Sequence, residues 1–221
     1  MSDLFAFDLI GDASIGAPEC AQMAEGAVLL RGLALPAASR LLAALERVSA
    51  LAPFRHMVTP GGFVMSVAMT NCGAAGWVTD STGYRYARTD PLSGKPWPDI
   101  PGSFRDLAAT AARRAGYPAF VPDSCLINRY EPGSRLSLHQ DRNERNLGEP
   151  IVSVSLGLPA TFQFGGRKRT DKVSRCNLRH GDVVVWGGPA RLFFHGIATL
   201  RGGSHPQTGR FRFNLTFRAA L

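Results

Sequence analysis

SCLINRY (residues 124–130), RLSLH (135–139), IVSVSLGL (151–158), ATFQF (160–164), VSRCNL (173–178), DVVVW (182–186), RLFFHGIATL (191–200) and RFRFNLTFR (210–218) are eight short runs divided by Gly, Pro and charged residues. Their β-branched and aromatic content and two-residue alternation predict strands. None of the intervening stretches is long enough to carry a crossover helix, which disfavours a doubly wound parallel sheet and leaves a sandwich or jelly roll.

Upstream, Ser103 with Asp106 gives a capping-box pattern for a helix over 104–115, stopped by Gly116 and Pro118. Before it lies a turn-rich stretch with Pro60-Gly61-Gly62, Gly73, Gly76, Gly83 and PLSGKPWPDIPG, which interleaves Phe63, Trp77, Tyr84 and Tyr86 with short strand-like pieces. Such a segment suits a mobile covering flap. Nearer the start, AVLLRGLAL (27–35) reads as a strand, and Pro36 opens a helix in which Leu41, Leu42, Leu45 and Val48 recur at helical spacing. The fold class is therefore mainly β with flanking helices (α+β), in three segments: an N-terminal extension with a helix (1–52), a flap (53–98) and a jelly-roll core (99–221).

Composition narrows the function classes. The chain has 221 residues, 45% hydrophobic and 19% charged, which excludes global disorder, collagen-like repetition and a disulfide-dense miniature scaffold. The apolar run 151–166 is broken by Ser153, Ser155, Pro159 and Gln163 and cannot supply the roughly 20 apolar residues of a membrane span. MSDLFAFDLIGDAS carries Asp3, Asp8 and Asp12 where a leader would be basic, so a cytoplasmic protein is expected. Cys20, Cys72, Cys125 and Cys176 form no Cys-x-x-Cys pair and read as small buried residues in a reducing compartment.

The net charge of +8 is uneven: residues 1–100 carry 7 Lys/Arg against 9 Asp/Glu, and residues 101–221 carry 18 against 8. The basicity peaks at Arg167, Lys168, Arg169, Lys172, Arg175 and Arg179, which face only Asp171. That is the footprint of a polyanion-binding surface or of a solvated basic loop.

His139 and Asp141 form a His-x-Asp pair at the end of a strand, where a two-residue step projects both side chains to one side. His195 follows 54 residues after Asp141 in RLFFHG. Two imidazoles and a carboxylate on one face of a metal leave open positions, the arrangement of non-haem Fe(II) oxygenases. Taken alone, His-x-Asp is weak evidence, and a cupin-like zinc hydrolase uses a similar triad. RFRFNLTFR adds what a hydrolase leaves idle. Arg212, Asn214, Thr216 and Arg218 share one face and Phe211, Phe213, Leu215 and Phe217 the other. The polar face either meets solvent, as in an ordinary half-buried strand, or offers two arginines to the two carboxylates of an iron-chelating keto-diacid. Asn128 and Tyr130 alternate onto one face and offer hydrogen bonds to the same cosubstrate.

At these residues the sequence strongly resembles the AlkB family of Fe(II)/2-oxoglutarate-dependent alkylation-repair dioxygenases. The resemblance is carried, in order, by MVTPGGFVMSVAMTNCG, PDSCLINRYEPGSRLSLHQD, PIVSVSLGLPATFQFGG, HGDVVVWGG, RLFFHGI and RFNLTFR, spanning about 54–218. It implies a double-stranded β-helix core with a nucleotide-recognition lid over 53–98. His139, Asp141 and His195 would be the Fe(II) ligands, and Asn128, Tyr130, Arg212, Asn214 and Arg218 would surround 2-oxoglutarate. Trp77, Tyr84 and Arg169 would contact the substrate. The family's bacterial repair enzymes carry a second Asp two residues beyond HQD, where this chain has Asn143. An amide offers a cationic base a dipole where a carboxylate offers a charge.

The implied reaction is oxidative demethylation of bases such as 1-methyladenine and 3-methylcytosine. It consumes O2, turns 2-oxoglutarate into succinate and CO2, and releases formaldehyde. The implied partner is alkylated single-stranded or flipped-out DNA, or RNA, met by a monomer; Trp77 and the His139 ring would sandwich the base. Two other classes stay open: a dioxygenase of the same fold acting on RNA, protein or lipid, and a nonenzymatic nucleic-acid-binding domain.

Overall fold

The computed structural model describes residues 20–221; residues 1–19, with the first part of the expected 1–52 extension, lie outside the described residues. In chain order the elements are β1 (Cys20–Ala24), β2 (Ala27–Leu30), α1 (Ala38–Leu51), β3 (Arg55–Val58), β4 (Val64–Gly73), β5 (Gly76–Asp80), β6 (Gly83–Ala87), α2 (Gly102–Arg114), β7 (Ser124–Tyr130), β8 (Leu136–His139), β9 (Ile151–Gly157), β10 (Ala160–Phe164), β11 (Ser174–Leu178), β12 (Val183–Trp186), β13 (His195–Ile197) and β14 (Arg212–Arg218).

All eight expected strands form, and they divide equally. β7, β9, β12 and β14 lie in a large sheet of order β1-β2-β12-β9-β14-β7-β4-β3, while β8, β10, β11 and β13 make a small sheet of order β11-β10-β13-β8. The pairings are antiparallel, the pattern of a jelly roll. The flanking strands of the large sheet come from upstream: β2 pairs with β12 and β4 with β7. Strand pairing thus joins residues of all three sequence segments in one sheet. β5 and β6 stand apart as a two-stranded hairpin.

Each face of the large sheet has its own apolar layer. On one, Leu41, Leu45 and Val48 of α1 and Phe104 and Leu107 of α2 pack over Ile127, Val152, Val154, Leu215 and Phe217. Phe104 meets Phe217 edge-on with ring centroids 5.9 Å apart, a favourable aromatic geometry. On the other, Leu126, Phe162, Phe164, Leu178, Trp186 and Ile197 fill the space between the two sheets. The mouth of this second layer holds the site.

Three local expectations need correction. Helix α2 has no capping box: its cap is Pro101, whose carbonyl accepts the Phe104 and Arg105 amides, so Ser103 already sits inside the first turn. The segment RLFFHGIATL is strand only at His195–Ile197; Arg191 before it is buried, drawn in by the carbonyls of Glu149 and Asp141. The cysteines are free, but only Cys72 and Cys125 are buried, as cross-strand partners on β4 and β7. No helix among the described residues is long and apolar enough to cross a membrane.

Candidate active site

The antiparallel pairing of β8 with β13 sets His139 directly opposite His195, bringing the rings within 4.4 Å of each other. Gly196 permits that approach, since a Cβ there would come within 2.6 Å of the Leu136 carbonyl oxygen. Asp141 lies just beyond β8, one oxygen 3.7 Å from His139 Nε2 and the other 3.7 Å from His195 Nε2. One ligand atom from each of the three residues falls within 4.8 Å of the others.

The ring nitrogens show which ends are offered. His139 Nδ1 lies 2.8 Å from the Ser137 carbonyl and His195 Nδ1 3.0 Å from that of Phe193. A carbonyl only accepts, so each Nδ1 carries a proton and each Nε2 is the atom turned to the site. Burial, then the neighbouring His139, pulls the His195 pKa down to about 4, keeping it neutral near pH 7. Burial alone would raise Asp141, but the Arg218 guanidinium and the two imidazoles hold it well below the usual carboxylate range. Two imidazoles that turn Nε2 to one point and an ionised carboxylate fit a divalent iron.

The polar face of β14 turns away from solvent. Arg212, Asn214, Thr216 and Arg218 are buried and line a cavity of about 830 Å3 with the triad, Asn128, Tyr130, Trp77, Tyr84, Asn143 and Arg169. Arg212 is 1% exposed, yet its Nε and Nη1 have no partner; only Nη2 donates, to Ser155 Oγ. A fully buried guanidinium with no salt bridge among the described residues is costly unless an anion completes it. Arg218 likewise has a free Nη1, while its Nε donates to Asp141 Oδ2 at 3.1 Å. Asn128 leaves its Oδ1 free and donates through Nδ2 to Asn214 Oδ1. This donor-rich lining, anchored beside the triad, fits a chelating keto-diacid. Asn214 is spent on the protein: Nδ2 donates to Ser153 Oγ and the Val154 carbonyl, and Oδ1 accepts from Thr216.

Across the cavity mouth stands the β5–β6 hairpin. Trp77 and Tyr84 stack with centroids 5.7 Å apart, and Trp77 Nε1 donates to Asn143 Oδ1 at 3.2 Å. Arg169 lies in the turn after β10, its guanidinium 5.0 Å from the Phe194 ring centre. The basic run around it is exposed at Arg167, Lys168 and Arg169. Gln140, between the two ligands of the His-x-Asp pair, ties that turn to the site through the Arg167 and Leu192 carbonyls.

A buried charge network beneath the mouth escaped the sequence reading. Glu144 Oε1 accepts from Tyr86 at 2.7 Å and lies 3.2 Å from Arg218 Nε, while Oε2 lies 3.1 Å from Arg191 Nη2. Burial raises the Tyr86 hydroxyl well above its ordinary range, so it remains a donor. The available signal was slight: Tyr86 follows Tyr84 by two, on the same hairpin face, and Glu144 directly follows Asn143.

The family model of the 2OG-Fe(II) oxygenase superfamily matches residues 26–218. The chain is 58% identical to the alpha-ketoglutarate-dependent dioxygenase AlkB of Salmonella typhimurium over 220 residues, covering 100% of this chain and 98% of that protein. It is also 58% identical to the AlkB of Escherichia coli over 213 residues, 96% of this chain and 97% of that one. The solved structure of OsALKBH1 superposes with a TM-score of 0.79 at 29% identity, covering 90% of this chain and 99% of that one. Matched by the family model over residues 26–218 and by relatives over essentially its whole length, the chain belongs to the AlkB family of the 2OG-Fe(II) oxygenase superfamily, the iron- and 2-oxoglutarate-dependent dioxygenases of alkylation repair.

Proposed function

We propose that the protein repairs N-methylated bases, such as 1-methyladenine and 3-methylcytosine, in single-stranded or flipped-out DNA, with RNA as a second substrate. The observation that carries this reading is a single cavity shared by the triad, two buried arginines with free N–H groups and the stacked Trp77–Tyr84 pair.

His139 and His195, each through Nε2, and the Asp141 carboxylate would hold the iron. Arg212 and Arg218 would take the carboxylates of 2-oxoglutarate, with Asn128 and Tyr130 hydrogen-bonding beside them and Asn214 holding Asn128 in place. Bound iron, 2-oxoglutarate and O2 supply the oxidation of an N-methyl carbon, the keto-acid leaving as succinate and CO2 and the methyl group as formaldehyde.

The protein orients the methyl group and keeps water and other C–H bonds away. Trp77 and Tyr84 form the stacking wall for the base, with the His139 ring as the opposite wall; stacking contributes about 1–3 kcal/mol per base. A methyl group on the Watson–Crick edge weakens pairing and eases extrusion. The exposed Arg167–Arg169 run lies one turn from the cavity mouth, where a nucleic-acid backbone would leave it. Asn143 gives its oxygen to the Trp77 indole, so the amide presents its NH2 end to a ligand, which weakens selection of a cationic base.

Mass spectrometry of single-stranded oligonucleotides bearing one 1-methyladenine or 3-methylcytosine, incubated with Fe(II), 2-oxoglutarate and O2, tests the reading. Loss of the methyl group with stoichiometric succinate is expected. Succinate formed only with a methylated protein or lipid would assign the same chemistry elsewhere, and no succinate with any substrate would overturn the reading.

A further inference from the structure

The Tyr86–Glu144 contact connects two parts of the site with different tasks. Trp77 and Tyr86 are register partners on the β5–β6 hairpin, so their side chains share a face. They grip consecutive residues, Asn143 and Glu144, that follow the triad's Asp141. The two grips differ in what lies behind them. Asn143 is exposed, whereas Glu144 is 7% exposed and its Oε1 contacts both the Tyr86 hydroxyl and Arg218 Nε. Arg218 is also bonded to Asp141, lines the cavity and keeps Nη1 without a partner. Its direction is thus set by two carboxylates, and one of them is held from the other side by the hairpin.

We propose that Tyr86 and Glu144 are positioning residues that couple the seating of the β5–β6 hairpin on nucleic acid to the binding of 2-oxoglutarate at Arg218; this rests on the reading of Arg218 as a cosubstrate partner. When the hairpin lifts, Glu144 Oε1 loses a hydroxyl donor and turns further onto Arg218 Nε, drawing the guanidinium away from the cosubstrate. When the hairpin seats, the hydroxyl shares that oxygen and Arg218 Nη1 stays free for the cosubstrate. Two ligands that bias one arrangement must strengthen each other's binding by the same factor.

The test measures that factor without turnover. The Kd of 2-oxoglutarate is determined by calorimetry on the full chain loaded with Mn(II) instead of iron, with and without saturating single-stranded oligonucleotide bearing one 1-methyladenine. Wild type should bind 2-oxoglutarate at least about fivefold more tightly with the oligonucleotide present, the lower end of ordinary coupling. Tyr86→Phe, which removes only the hydroxyl, should lower the factor to below about twofold, as should Glu144→Gln. Trp77→Phe should weaken the oligonucleotide and preserve the factor, because its grip ends on Asn143. A merely structural role for Tyr86 would shift both affinities and leave their ratio intact.

A wild-type factor of one, or the full factor in Tyr86→Phe, overturns the proposal. Failure of the underlying reading shows separately, as no oligonucleotide binding by wild type or as unchanged 2-oxoglutarate affinity in Arg218→Ala.

Discussion

The cavity floor and its roof are built to different standards. On the floor, β7, β9 and β14 pair residue for residue, Asn214 is fixed by four hydrogen-bonding partners, and the triad imidazoles are locked on backbone carbonyls. The roof is a two-stranded hairpin outside both sheets, and Tyr84 is 47% exposed. It is anchored by Asn71, which bonds the Trp77 backbone twice, and by a few side-chain contacts. The groups proposed to hold an ion and a small diacid sit on paired strands or, for Asp141, just beyond one. The groups proposed to meet the base sit on a hairpin outside both sheets, seated by Val78 in the inter-sheet core and by side-chain hydrogen bonds of Asn71, Thr79 and Tyr86.

The largest effects should come from the floor. His139→Ala should cut turnover at least about a thousandfold, with loss of bound metal and a nearly unchanged melting temperature, since this ring is one-third exposed. Asp141→Ala should lose as much activity and also about 3–5 kcal/mol of stability in chemical denaturation, because it leaves Arg218 short of a carboxylate inside the protein. Wild-type turnover with full metal content in either variant would remove the floor from the chemistry.

Next is Arg212→Met, where the two halves of an effect should oppose each other. It should raise the 2-oxoglutarate KM roughly a hundredfold, as expected for two lost charge-assisted hydrogen bonds. It should also leave the ligand-free protein as stable or more stable, because a buried guanidinium with no carboxylate partner is replaced by an apolar chain. A destabilised ligand-free variant would mean that Arg212 is structural.

Smaller effects belong to the rim and roof. Replacing Arg167, Lys168 and Arg169 together with Ala should reduce the log–log salt slope of oligonucleotide binding by about 2, at about 0.7 per phosphate on single strands. An unchanged slope would return the run to the status of a solvated loop. Smallest is Asn143→Asp, which should move the kcat/KM ratio of 1-methyladenine over neutral 1-methylguanine several-fold toward the cationic lesion, since a charge-assisted bond is only roughly twice as strong as a neutral one. Equal ratios would assign base choice to Trp77, Tyr84 and the shape of the hairpin.

Local chemistry determined a large part of this protein. Alternation wrote the strands, because the faces of a strand are fixed by its own period; it put Arg212, Asn214, Thr216 and Arg218 together wherever the strand ended up. The two-residue step did the same for His139 and Asp141. Tertiary structure decided what those faces meet. Only the pairing of β8 with β13 brought His195 to the triad, and only the covering small sheet turned the polar face of β14 from solvent to cavity. The division of eight strands into four and four, and the addition of β2 and β4 to the large sheet, depend on distant partners that no strand specifies alone. The expected cap at Ser103 failed because the preceding Pro101 carbonyl already accepts the first helical amides. Glu144 and Tyr86 were the least legible. In a sequence they are a loop glutamate and a hairpin tyrosine, and their roles come from burial against Arg218 and Arg191, a property of long-range packing with no local signature.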